Sequence, residues 1–175
     1  EMEKRGWIRP TRTPDDLESE LRRFFGQDDL SRPPAFPVST RRNTSTDDLT
    51  PLQRAWCFRA RSLAAEQIVA PFNSSKLDEC ANKLMKLTAF APEARKAGAI
   101  LGEYGIRFVI VEPLPGAKID GVAFWIDDKP AIALSIRHDR IDAFWYTLCH
   151  EFSHIRNEDS LHVDNTIAGD DAEPA

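Results

Sequence analysis

The 175-residue sequence predicts an α+β fold, with helices packed on a small three-stranded sheet and one more helix after it. Three observations predict it. Up to residue 105, apolar residues recur at spacings of three and four between capping residues and breakers. Between residues 106 and 136 the pattern changes to short apolar runs separated by turn residues. From residue 139 to 156 the helical spacing returns. With 42% hydrophobic and 29% charged residues, the chain has the balance of a globular protein that buries a real core.

The elements follow in order. Thr13-Pro14-Asp15-Asp16 reads as a helix start, with Thr13 as cap, Pro14 in the first turn and two acids at the positive helix end. That helix is expected to stop at Gly26. Residues 27–50 hold Pro33, Pro34 and Pro37 among many Ser, Thr, Asp and Arg residues, and read as a linker or extended arm. Thr50-Pro51 opens a second helix expected to run to about Val69. Ser74 or Ser75 caps a third that carries Leu77, Cys80, Ala81, Leu84 and Leu87 at helical spacing. A fourth is expected from about Pro92 to Tyr104, ended by Gly105. Three strands are expected at residues 106–111, 121–126 and 131–136, separated by Pro113-Leu114-Pro115-Gly116 and by Asp127-Asp128. The last helix is expected at residues 139–156, and residues 157–175 form an acidic, weakly patterned tail.

The charge and the cysteines narrow the function classes. A net charge of -5 argues against nucleic-acid binding by this chain itself. No apolar run reaches membrane-spanning length. Cys57, Cys80 and Cys149 are odd in number and widely spaced, and read as reduced core thiols of a cytoplasmic protein. The first residue is Glu1 and not Met, so the chain reads as a piece of something longer.

The chemistry sits in His150-Glu151-Phe152-Ser153-His154, a His-Glu-x-x-His pattern that roughly half a percent of shuffled chains would show by chance. On a helix, residues four apart share a face, so two imidazoles can bind one Zn²⁺ while Glu151 serves as general base. Ile141, Phe144, Trp145, Leu148, Phe152 and Ile155 form one apolar stripe; His150 and His154 fall on the opposite side and Glu151 at the flank. A solvent-exposed histidine pair on a surface helix is the plainer alternative.

The third ligand is the open question. Asn157 and Ser160 stand where one zinc-peptidase pattern would have Gly and His. Glu158 shares the helical face but lies about 12 Å along the axis from His150, too far for one tetrahedral site. His162, Asp164, Asp170, Asp171 and Glu173 remain as candidates, each also readable as a solvated tail residue. His138 could assist catalysis, with a surface or capping role as the plainer reading, and Cys149 reads as a packed thiol at the edge of the stripe. Residues 121–126 could be an edge strand that takes an extended peptide, or an ordinary strand paired on both sides.

Several ordered blocks carry a resemblance. Gly121-Val122-Ala123-Phe124-Trp125, Lys129-Pro130-Ala131-Ile132-Ala133-Leu134 and Asp142-Ala143-Phe144-Trp145-Tyr146-Thr147-Leu148-Cys149 leading into the His-Glu-x-x-His motif resemble the ImmA/IrrE metallopeptidase family, from about Trp56 onward. Lys4-Arg5-Gly6-Trp7-Ile8 and Leu21-Arg22-Arg23-Phe24-Phe25-Gly26 are similar to the connecting region of a subgroup that carries an upstream helix-turn-helix domain of the Xre type. That subgroup includes HigA-like antitoxins and stress or phage regulators. The resemblance implies a zincin-like helix with His150 and His154 as zinc ligands and Glu151 as general base. It implies a protein substrate or partner, a repressor or a toxin, with DNA reached only through the upstream domain. It implies a connecting helix and linker at residues 1–50 and a peptidase domain at 51–175. The family's third ligand is a Glu on a following helix, within a Glu-x-x-Ala-x-x-Phe-Ala-like stretch, which residues 157–175 do not contain. Val163-Asp164-Asn165 sits where many members have a short strand, so Asp164 is the first substitute for the missing ligand.

Overall fold

A computed structural model describes residues 1–36, 49–158 and 161–164, the last four through their backbone. Among the described residues, five α-helices and four strands build an α+β fold: α1 Pro14–Phe25, α2 Pro51–Ala65, α3 Leu77–Leu87, α4 Ala97–Glu103, α5 Ile141–Arg156, β1 Arg107–Ile110, β2 Gly121–Ile126, β3 Lys129–Leu134 and β4 Leu161–Asp164. Among the described residues no helix is long and apolar enough to cross a membrane.

The helix ends follow the local chemistry. Thr13 accepts from the Asp16 N–H while Asp16 reaches back, a reciprocal capping box, and Gly26 closes α1 at φ 62°. Thr50 and Gln53 repeat that box at the start of α2. The helix expected to run to Val69 stops at Ala65, because Gln67 is drawn away. Its side-chain amide bonds both backbone groups of Phe108, at 2.9 and 2.7 Å, and so covers the outer edge of β1. The fourth helix starts as a 3₁₀ segment, Ala91–Lys96, before α4.

The three expected strands are present, and β4 joins them in the order β1-β3-β2-β4. β1 and β3 run parallel, while β2 is antiparallel to both β3 and β4. The sheet expected with three strands therefore has four, the last from the stretch that patterning alone left as tail. β2 is paired on both sides and buried throughout, which rules out its reading as an edge strand.

Side chains alternate across the sheet as the two-residue period requires. Val122, Phe124, Ile126, Ala131 and Ala133 face one layer, with Trp56 and Phe58 of α2 and the incoming Phe36. Ala123, Trp125, Ile132 and Leu134 face the other, with Leu84 of α3, Leu101 of α4 and Leu148, Phe152 and Ile155 of α5. Residues read as an arm are partly anchored: Phe36 is 3% exposed and meets Phe58 and Phe124 edge-on, at 5.4 and 5.6 Å.

Candidate metal centre

The helix that carries the motif begins later than its spacing suggests. Asp139 sits at φ 40° and Ile136 at φ 47°, left-handed conformations that stop β3 short and delay α5 until Ile141. From there α5 lies over β2 and β3 and buries Thr147, Leu148, Glu151, Phe152 and Ile155. The apolar stripe is thus displaced from its expected centre: Ile141 is exposed, while the carboxylate of Glu151 occupies the buried face.

His150 and His154 lie at the margin of that face, both half-buried. Their Nε2 atoms are 3.1 Å apart and their rings are nearly perpendicular, at 76°. Two imidazoles bonded to one tetrahedral zinc at 2.0–2.1 Å would hold those atoms about 3.3 Å apart. The 3.1 Å separation is close to that spacing, and it is also an ordinary hydrogen-bond distance between the two rings. Tyr146, one turn earlier, stacks on His150 at 6.5 Å and 15°.

Glu151 is 0% exposed, not at the flank as the helical wheel suggests. It reaches this depth through Gly121. A Cβ on residue 121 would stand 2.6 Å from Glu151 Oε1, 2.9 Å from its Cγ and 2.7 Å from Thr147 Cγ2. A side chain here would force those of Glu151 and Thr147 to shift, so glycine lets α5 settle against β2 with both in their present places. Gly121 as the seat of Glu151 was missed in the sequence. A glycine opening an otherwise apolar strand was the available signal, and it is weak alone.

The register extends the site across the sheet. Gly121 pairs with Leu134 on one side and Asp164 on the other. Asp164, the candidate third ligand, is thus the backbone partner of the residue that seats Glu151. Its side chain, that of His162, and all of Asp170, Asp171 and Glu173 lie outside the described residues. Among the described residues no group of three His, Cys, Asp or Glu could hold a metal ion. Glu158 follows the end of α5 at φ 56° and is exposed.

Two further expectations change. Cys149 is exposed, unlike the buried Cys57 and Cys80, because the position lies on the outer side of α5. Burial pushes the Cys57 and Cys80 thiols up to about 12, which leaves them inert at neutral pH. His138 belongs to a polar cluster and not to a cap: its Nε2 is 3.5 Å from Asp120 Oδ1 and 3.3 Å from Arg137 Nη2. Arg137 in turn donates from Nε and Nη2 to the Asp120 carboxylate, at 2.8 and 3.3 Å.

In comparisons with known proteins, no family model matches the chain, and neither does any curated protein or solved structure.

Proposed function

We propose that the chain is a zinc-dependent endopeptidase-type domain of a cytoplasmic transcriptional regulator or antitoxin, with Glu151 as general base and a protein partner, a repressor or toxin, as substrate. One observation carries the reading: two half-buried histidines with Nε2 atoms 3.1 Å apart, on the same helix as a carboxyl side chain buried against a glycine. A structural histidine pair needs no such carboxylate, and an ordinary core position would hold an apolar side chain. The motif blocks that resemble the ImmA/IrrE family point the same way.

His150 and His154 would hold the zinc, with Asp164 as the third ligand. Bound there, zinc would lower the pKa of a water and polarise the peptide carbonyl. The attacking water forms the new C–O bond and gives its proton to Glu151. The C–N bond then breaks, and Glu151 returns the proton to the departing amine.

A second reading keeps the fold without the chemistry: a non-catalytic sensor or toxin-binding module that controls an attached helix-turn-helix domain. The lack of a third donor among the described residues favours it. The variants His150→Ala, His154→Ala and Glu151→Gln separate the two. Elemental analysis should find about one zinc in the wild type and in Glu151→Gln, and none in the histidine variants. Cleavage of proteins encoded beside the parent protein should fall by at least about 10²-fold in Glu151→Gln. Equal zinc in all four proteins would sink the metal assignment. Equal cleavage by wild type and Glu151→Gln would remove the base.

A further inference from the structure

β1 stands at one end of the sheet, and its outer edge is only half covered. Val111 donates to the Leu134 carbonyl of β3, so by alternation Val109 and Arg107 face β3 as well. Phe108 and Ile110 therefore direct their main-chain groups outward. The Gln67 amide takes both groups of Phe108. Ile110 has no such cover: among the described residues nothing bonds its N–H or C=O, and the residue is 52% exposed. An open main-chain pair on an edge strand is the chemistry that receives another strand.

The same residue lines an apolar groove of about 500 Å³. Phe108 and Ile110 line it from β1, Gly98 from α4, and Ile136, Ile141 and Phe144 from the stretch that leads into α5. Ile141 is 43% exposed there, so two large aliphatic side chains meet solvent at one place. The charges at the groove are uneven. Arg140 is already paired with Asp142. Arg95, on the 3₁₀ segment before α4, is exposed and engages no group among the described residues. The lining carboxylate, Asp139, forms no ion pair with it. A free guanidinium beside an apolar groove is complementary to an apolar segment that carries an acid.

We propose that this edge and groove dock an extended segment of a partner protein with alternating apolar residues and an acid. Its main chain bonds the N–H and C=O of Ile110, its apolar side chains enter the groove, and the acid meets Arg95. Ile141 lies about 13 Å before His150 along α5, so the docking site is separate from the histidine pair and does not rest on the peptidase reading. The probe is a fluorescein-labelled, amidated hexapeptide, Thr-Val-Thr-Leu-Thr-Glu, which places Val, Leu and Glu on one side of a strand. It is titrated into the full chain by fluorescence anisotropy, and exchange of the Ile110 amide is followed by NMR. Binding should saturate and slow that exchange at least about 10-fold. Ile141→Glu and Ile110→Lys should each weaken binding at least about 10-fold, the scale of one lost apolar contact. Arg95→Glu should weaken it about 5-fold, and a probe ending in Gln should not sense that change. A probe N-methylated along its backbone keeps the side chains without the donors, and should not bind. Equal affinity of the methylated probe, or an unchanged Ile110 amide, would overturn strand addition. So would affinity that neither Ile141→Glu nor Ile110→Lys reduces. Displacement of the probe by octanoate, with the Ile110 amide unaltered, would make the groove a site for a small apolar acid instead. No saturation by about 1 mM probe would remove the docking site. Zinc content and melting temperature should match wild type in Arg95→Glu and Ile141→Glu, which keeps a failure here apart from a failure of the metal site.

Discussion

The two faces of the sheet are built to different ends. On one, α2 buries Trp56, Cys57, Ala60 and Ala64 against Val122, Phe124 and Ala133. Its polar groups are met at the edges of that contact: the Trp56 indole N–H donates to the Glu112 carbonyl at 3.1 Å, and the buried Arg54 donates to the Pro34 carbonyl at 2.6 Å. On the other, α5 spends a fully buried position on a carboxylate and takes a glycine from the facing strand to fit it. Burying a carboxylate costs stability that an apolar side chain of similar volume would not. The α2 contact keeps its polar groups at the rim of an apolar layer, whereas the α5 face sets a carboxyl side chain in the middle of the contact with β2.

Thiol labelling should show the largest contrast. Cys149 on α5 should react with a thiol reagent in the native protein within minutes. Cys57 on α2, buried and with its thiol held at about 12, should react only through unfolding, slower by ~10³-fold or more. Comparable rates would mean that the α2 face is not the tight one.

Trp56→Ala should come next, with a loss of about 3–5 kcal/mol in denaturant unfolding, because Trp56 is 0% exposed and central to its layer. A loss under 1 kcal/mol would shift the main core to the other face.

Gly121→Ala tests the α5 face directly. The added methyl would overlap Glu151 and Thr147, and should cost about 1–3 kcal/mol. The double variant Gly121→Ala/Glu151→Ala should recover part of it, with a coupling of about 0.5–3 kcal/mol. Strict additivity would mean that the glycine does not seat the carboxylate.

The smallest effect belongs to the surface. Arg156 at the end of α5 pairs with Asp78 of α3 at 2.8 Å, but both side chains are at least half exposed. Arg156→Ala should change stability by no more than about 1 kcal/mol, and less at high salt.

Local chemistry settled most of the elements in advance. Thr13, Gly26 and Thr50 mark helix ends through bonds within a few residues, and their caps form as expected. The short apolar runs between turn residues mark β2 and β3, but a run that is apolar at nearly every position does not say which side chain faces which layer. His150, Glu151 and His154 share a helix because they lie within two turns of one another. Distant partners decided the rest. Gln67 ends α2 at Ala65 because its amide caps Phe108, 41 residues on. β4 exists because β2 offers it an open edge, so its short run needs no strong pattern of its own. Glu151 is buried and not at the flank because a glycine 30 positions earlier leaves room, and a helical wheel carries no information about the opposing surface. Asp120, Arg137 and His138 meet because left-handed turns at Ile136 and Asp139 redirect the loop. Spacing fixes what one element presents; how deeply each group is buried, and what it meets there, depends on the shape of the element packed against it.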